Sequence, residues 1–96
     1  MFEIGFNQDG DVVLTGRLDA AQAPAAQAFL DGVERGCVVD MAALEYISSA
    51  GLGVLLRTHK RLSGTGGGLE LHNVNGHIGD IFSYSGFDRL FVIRSR

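Results

Sequence analysis

Apolar and polar positions alternate at short range near both ends of this chain, and recur at helical spacing between them. Met1–Phe6 reads as a short strand, Gln8-Asp9-Gly10 as a turn, and Asp11–Thr15, carrying Val12, Val13 and Leu14, as a second strand ended by Gly16. So short a connection makes these two strands an antiparallel hairpin. After Asp19 the period becomes helical. Pro24 is tolerated in the first turn, where its missing N–H costs nothing, and Ala25, Ala28, Phe29 and Val33 form a narrow apolar stripe before Gly36 stops the helix. Cys37-Val38-Val39 predicts a buried strand ending at Asp40, and Leu44–Ile47 an extended approach to the next helix.

The strongest helical pattern opens at Ser49-Ala50-Gly51. On a wheel, Leu52, Leu55, Leu56, His59 and Leu62 fall within about 120° of one another, and Gly53, Val54, Arg57, Lys60 and Arg61 lie opposite. Ser63–Gly68 is a glycine-rich turn. Leu69–Val74 alternates as a strand, with Leu69, Leu71 and Asn73 on one face. A third helix is predicted over His77–Ser85, burying Ile78, Ile81 and Phe82, with Gly86 as its left-handed terminus. Leu90–Ile93 is the last strand. The order β-β-α-β-α-β-α-β predicts an α/β fold in which all 96 residues make a single domain. Its sheet is mixed but mostly parallel, with an N-terminal antiparallel hairpin and the helices packed on it.

Composition narrows the function classes. A net charge of −3 and a lone basic cluster, Arg57, Lys60 and Arg61, leave no stripe to neutralise phosphates, so nucleic acid is not an expected partner. One cysteine, Cys37, allows no disulfide framework and no cysteine metal site, and its apolar surroundings predict a buried, inert thiol. No apolar run approaches 18 residues and no signal peptide is visible. A cytoplasmic location without membrane contact is therefore expected.

In an open α/β sheet, chemistry gathers beyond the carboxyl ends of parallel strands. Three such loops are legible: Gly16–Ala20, Asp40–Ser49 and Asn73–Gly76. The second delivers Ser49 to a helix N-terminus. A serine there can cap the helix with its hydroxyl, and the same N–H groups and dipole also accommodate a phosphate. Asp19 and Asp40 are expected to end strands on the same side, either as turn carboxylates or as groups shaping that site. His59 shares the apolar stripe of its helix and reads as a packed, hydrogen-bonded histidine. His72 and His77 lack metal-ligand spacing. No Gly-x-Ser-x-Gly elbow is present, and Gly64–Gly68 lacks the Lys-Ser/Thr of a phosphate loop. No enzyme activity, cofactor or metal is expected.

Gly16-Arg-Leu-Asp19, Val38-Val39-Asp40, Leu44-Glu-Tyr-Ile-Ser-Ser-Ala-Gly-Leu52 and Ser85-Gly-Phe-Asp-Arg-Leu-Phe-Val-Ile93 resemble, in order and spacing, the STAS domains of anti-sigma factor antagonists. The resemblance implies a small regulatory protein that binds an anti-sigma factor when unphosphorylated. That anti-sigma factor is also an ATP-dependent serine kinase, and a serine phosphatase resets the cycle. The resemblance places the phosphorylated residue at Ser49. Relatives often have Asp where this chain has Ser48, and Ser48 is a secondary acceptor. Partner contacts are expected from Asp19, Ser48, Ser49, Ala50 and Gly51. Gly53, Val54 and Arg57 are added as an outer helix face that is either simply solvated or a docking surface where small Gly53 permits close approach. The alternative that the same resemblance allows is an unphosphorylated regulatory subunit of a transporter or another signalling complex.

Overall fold

The computed structural model describes residues 1–95. Strands β1 (Phe2–Phe6) and β2 (Val12–Leu18) form the hairpin. They are followed by α1 (Ala23–Asp31), β3 (Cys37–Ile47), α2 (Ser49–Ser63), β4 (Leu69–Val74), α3 (Gly76–Ser85), a 3-10 turn (Phe87–Arg89) and β5 (Val92–Ser95). The strands make one sheet in the order β1-β2-β3-β4-β5, antiparallel between β1 and β2 and parallel from β2 onward. With a right-handed crossover between each successive parallel pair, α1, α2 and α3 fall on one face.

That face holds the core. Val12, Leu14 and Leu18 of β2, Val39, Met41, Leu44 and Ile47 of β3, and Leu69 and Leu71 of β4 are buried beneath Ala26, Leu30, Leu55, Leu62, Ile78 and Phe82 of the helices. Phe82 meets Phe91 edge-on with ring centres 5.8 Å apart, and the His59 ring lies tilted against Phe91 at 4.7 Å. The His59 Nδ1 accepts the Leu69 N–H at 2.9 Å. The opposite sheet face has no helix and carries polar side chains. There Arg17 lies over the Tyr46 ring at 4.4 Å. Farther along that face, at the start of β4, Glu70 meets His72 at 3.1 Å and Arg94 at 3.6 Å. The His72 hydrogen bond, aided by the Arg94 charge, holds the Glu70 carboxyl below the usual carboxylate range.

Several boundaries differ from the sequence expectation. Gly16 does not end β2; it lies inside the strand with φ +87°, and a Cβ there would collide with the Met1 carbonyl. This local irregularity lets β2 continue to Leu18. Likewise β3 is one strand of 11 residues, so Asp40 lies within it rather than at its end. The Asp40 Oδ1 accepts from the Ala42 N–H and from Asn73 Nδ2, both at 3.0 Å. Asn73 adopts φ +59°, which breaks the alternation of β4: Leu71 and Val74 are buried, and Asn73 is exposed instead of sharing their face. In α1 the buried positions are Ala23, Ala26 and Leu30, while Ala25 and Ala28 face solvent. Val33 is buried beyond the helix end, and the Phe29 ring lies tilted against Phe6 with centres 5.0 Å apart. Cys37 is half-buried rather than fully enclosed; burial, aided by the charge of Asp11, pushes its thiol pKa up. The last strand starts at Val92, two residues later than expected, because the 3-10 turn intervenes.

Candidate functional site

The site forms where β2 and β3 run out. Ser48 follows β3 in an extended conformation (φ −90°, ψ 172°), and its N–H donates to the Leu18 carbonyl at 2.9 Å, tying the two strand ends together. Its Oγ accepts the Gly51 N–H at 3.2 Å and its carbonyl accepts the Leu52 N–H at 2.9 Å. Ser48, not Ser49, is therefore the N-cap of α2. The one-residue difference arises because β3 stays extended through Ile47 and Ser48 must turn the chain. Ser49 becomes the first helical residue, exposed, with no side-chain hydrogen bond among the described residues. The Ser49 and Ala50 N–H groups likewise find no partner among the described residues, as first-turn amides usually do not.

Gly51 makes this placement possible. A Cβ on it would stand 2.8 Å from Leu18 Cγ, 2.9 Å from Ile47 Cγ1 and 3.0 Å from the Leu18 carbonyl oxygen. Only a glycine lets the first turn of α2 rest on the ends of both strands. Asp19 continues directly from Leu18. Its Oδ1 accepts the Gln22 N–H at 3.1 Å and its carbonyl accepts from Ala23 at 3.0 Å, so it organises the turn into α1. The structure brings Asp19 to the same sheet edge as Ser48 and Ser49, and leaves Asp40 within β3.

Sequence reasoning did not single out Asn75. Its Oδ1 accepts the Ile78 N–H at 2.9 Å and caps α3, while its Nδ2 donates to the Leu44 carbonyl at 3.3 Å. An Asn just before an apolar helical run is a capping signal that could have flagged it. The helices α1, α2 and α3 each follow a parallel strand and begin at the carboxyl end of the sheet, and exposed Ser49 lies at the positive dipole end of α2.

The outer face assigned to α2 requires correction. Val54 is fully buried and Thr58 almost so, with Thr58 Oγ1 donating to the Val54 carbonyl at 2.9 Å. The cause is α1, which packs alongside. Arg57 Nε donates to Gln27 Oε1 at 3.1 Å, and Arg61 Nη2 donates to the Leu30 and Val33 carbonyls at 2.9 Å each. The buried face, Gly51, Leu52, Val54, Leu55, Thr58 and Leu62, is rotated by roughly 60° from the predicted stripe. Val54 presents no side chain to a partner. Arg57 is exposed and Gly53 partly so, with the Arg57 guanidinium as Gly53's near neighbour. No helix among the described residues is long and apolar enough to cross a membrane.

Residues 4–94 match the family model described as Mlab, STAS domain. BtrV of Bordetella bronchiseptica, assigned as an anti-sigma factor antagonist, is 38% identical over 84 residues, which cover 83% of this chain and 72% of BtrV. The crystal structure of an anti-sigma factor antagonist from Mycobacterium paratuberculosis superposes with a TM-score of 0.80 at 24% identity, covering 100% of this chain and 86% of that one. Bacillus SpoIIAA in its phosphorylated form gives 0.69 at 20% identity, with 97% and 90% covered. The same fold occurs in a sulfate transporter family protein of Wolinella succinogenes, at 0.75 and 17% identity, with 88% and 74% covered. These structural likenesses establish the fold, and the family model and BtrV establish kinship: the chain belongs to the STAS domain family, among the anti-sigma factor antagonists.

Proposed function

We propose that this protein binds an anti-sigma factor that is also an ATP-dependent serine kinase, and that phosphorylation of Ser49 dissociates the pair until a serine phosphatase removes the phosphate. Its output is control of sigma-factor-dependent transcription. The protein itself acts as a binding module and carries out no catalysis.

The observation that carries this reading is the division of roles between two adjacent serines. Ser48 has its oxygen engaged as the helix cap, whereas the Ser49 hydroxyl is exposed beside two unpartnered first-turn amides. A kinase can reach Ser49 without dismantling the helix start, and the resulting phosphate finds N–H donors there. Asp19, Ser48, Ala50, Gly53 and Arg57 form the contact surface of the reading, and buried Gly51 supports it from beneath by seating the first turn of α2 on the strand ends.

The test is phosphorylation by the cognate kinase with ATP, followed by mass mapping. One phosphate is expected, on Ser49. Ser49→Ala abolishes incorporation, whereas Ser48→Ala keeps it while costing about 0.5–2 kcal/mol of stability through the lost cap. Phosphate on Ser48, or its persistence in Ser49→Ala, would sink the assignment. A protein that binds its partner equally well in Ser49→Asp and wild-type form, and is never phosphorylated, would instead fit the unphosphorylated regulatory-subunit reading.

A further inference from the structure

Strand β1 is one of the two terminal strands of the sheet, and its backbone pairing is legible from two bonds at its ends. The Arg17 N–H donates to the Met1 carbonyl at 2.8 Å, and the Asn7 N–H donates to the Asp11 carbonyl at 2.9 Å. Both pairs continue the register in which Glu3 faces Thr15 and Gly5 faces Val13. In an antiparallel ladder, hydrogen-bonded pairs alternate with unbonded ones. Glu3 and Gly5 therefore direct their backbone groups to β2, and Phe2, Ile4 and Phe6 turn theirs outward. No loop or cap hydrogen bond reaches those three among the described residues.

Exposed edges of this kind template pairing, and proteins usually blunt them with Lys, Pro, a bulge or a covering element. The Phe2-Glu-Ile-Gly-Phe6 strand has no Lys and no Pro, and its two ends display apolar surface: Met1 is 76% exposed and Phe6 61%. The segment is also self-complementary. A two-fold rotation about Ile4 sets Ile4 against Ile4, Phe2 against Phe6 and Glu3 against Gly5. Each outward N–H and C=O of one strand then meets its counterpart on the other. The one charged side chain faces a residue that has none, so no like charges are opposed. Phe2 and Phe6 become cross-strand aromatic pairs on the helix-bearing face, beside Phe29.

We propose that β1 pairs antiparallel with β1 of a second copy of this chain, forming a two-fold symmetric dimer with one continuous sheet. An extended segment of another protein would have no need of this two-fold pattern, which a second copy satisfies by symmetry. The two Ser49 edges of the dimer point in opposite directions, so each remains accessible. The inference is independent of whether Ser49 is phosphorylated.

Sedimentation equilibrium of the purified 96-residue chain tests it, with Gly5 as the probe. A Cβ at Gly5 meets nothing within 4 Å, so substitution there leaves the protomer fold unchanged, which circular dichroism verifies. Gly5→Lys sets a cation against Glu3 of the other copy and tightens the dimer; Gly5→Glu sets a carboxylate there and loosens it. Over two equivalent contacts, each change moves Kd roughly 2- to 30-fold, in opposite directions. Combining Glu3→Lys with Gly5→Glu restores the dimer. A wild-type protein that stays monomeric into the high micromolar range overturns the proposal. So does a dimer whose Kd ignores both Gly5 variants, which would place its interface elsewhere. A monomer whose Gly5 variants alter only the binding of another protein would assign this edge to a foreign strand, and the proposal would equally fall.

Discussion

An alanine at Gly51 would press its Cβ into Leu18 and Ile47 and against a backbone oxygen, none of which can give way without moving a strand end. The same change at Gly53 meets only the tip of the Arg57 guanidinium, at 3.1 Å, which can swing aside. Gly51→Ala is therefore expected to cost about 1–3 kcal/mol through overpacking. Gly53→Ala should stabilise α2 by about 0.5–1 kcal/mol, the ordinary gain of removing a helix-interior glycine. Urea denaturation of the two variants measures the difference; equal values would show that Gly51 is not held by the strand ends. A helix start at Ser-Ser-Ala-Gly was legible in the sequence, but not which serine caps it. Two neighbouring hydroxyls have the same local chemistry, and only the point at which β3 stops being extended decides that Ser48 caps and Ser49 is presented.

At the level of elements, α1 has no basic residue of its own in its last turn, yet its terminal carbonyls are not bare. Arg61, from the end of α2, donates to Leu30 and Val33 across the helix pair. Arg61→Ala should lower stability by about 1–3 kcal/mol, and the loss should appear first as faster amide exchange around residues 30–36. Uniform exchange rates across wild type and variant would remove Arg61 from this role. This contact also explains what the sequence concealed. The positions of α2, β4 and α3 were legible because each has a strong period of its own and clear punctuation. The buried face of α2 was misplaced because α1, distant in sequence, covers Val54 and Thr58, and a wheel drawn on one helix contains no information about its neighbour. The unbroken β3 was missed for a related reason: Asp40 and Ala42-Ala43 look like a turn locally, but pairing with β2 along nearly the whole strand keeps them extended.

Across the whole molecule, the start of α2 is held by hydrogen bonds that a phosphate on Ser49 would not displace, since the Gly51 and Leu52 amides already have partners and those of Ser49 and Ala50 have none among the described residues. The phosphate adds about −1.5 to −2 charges at a positive dipole end. Far-UV circular dichroism and melting temperature should be unchanged on phosphorylation, while partner affinity falls roughly a hundredfold, or about 2.8 kcal/mol, because the dianion must be desolvated against the partner. Loss of helicity on phosphorylation would mean that the switch works by unfolding. The sheet order has a consequence for how the chain is made. Every strand pairs with its immediate successor, so no strand has to be inserted between two that have already joined. As the chain leaves the ribosome at roughly 5–20 residues per second, the sheet can grow from one side only, each new strand docking on the last. Only the β1-β2 hairpin closes a short loop; each later step waits for a crossover helix before its parallel strand can pair, as with Val12 and Val39 or Cys37 and Leu69. Among the described strands, the growing side is covered in turn by the next strand as far as β5, while the outer side of β1 is covered by none of them.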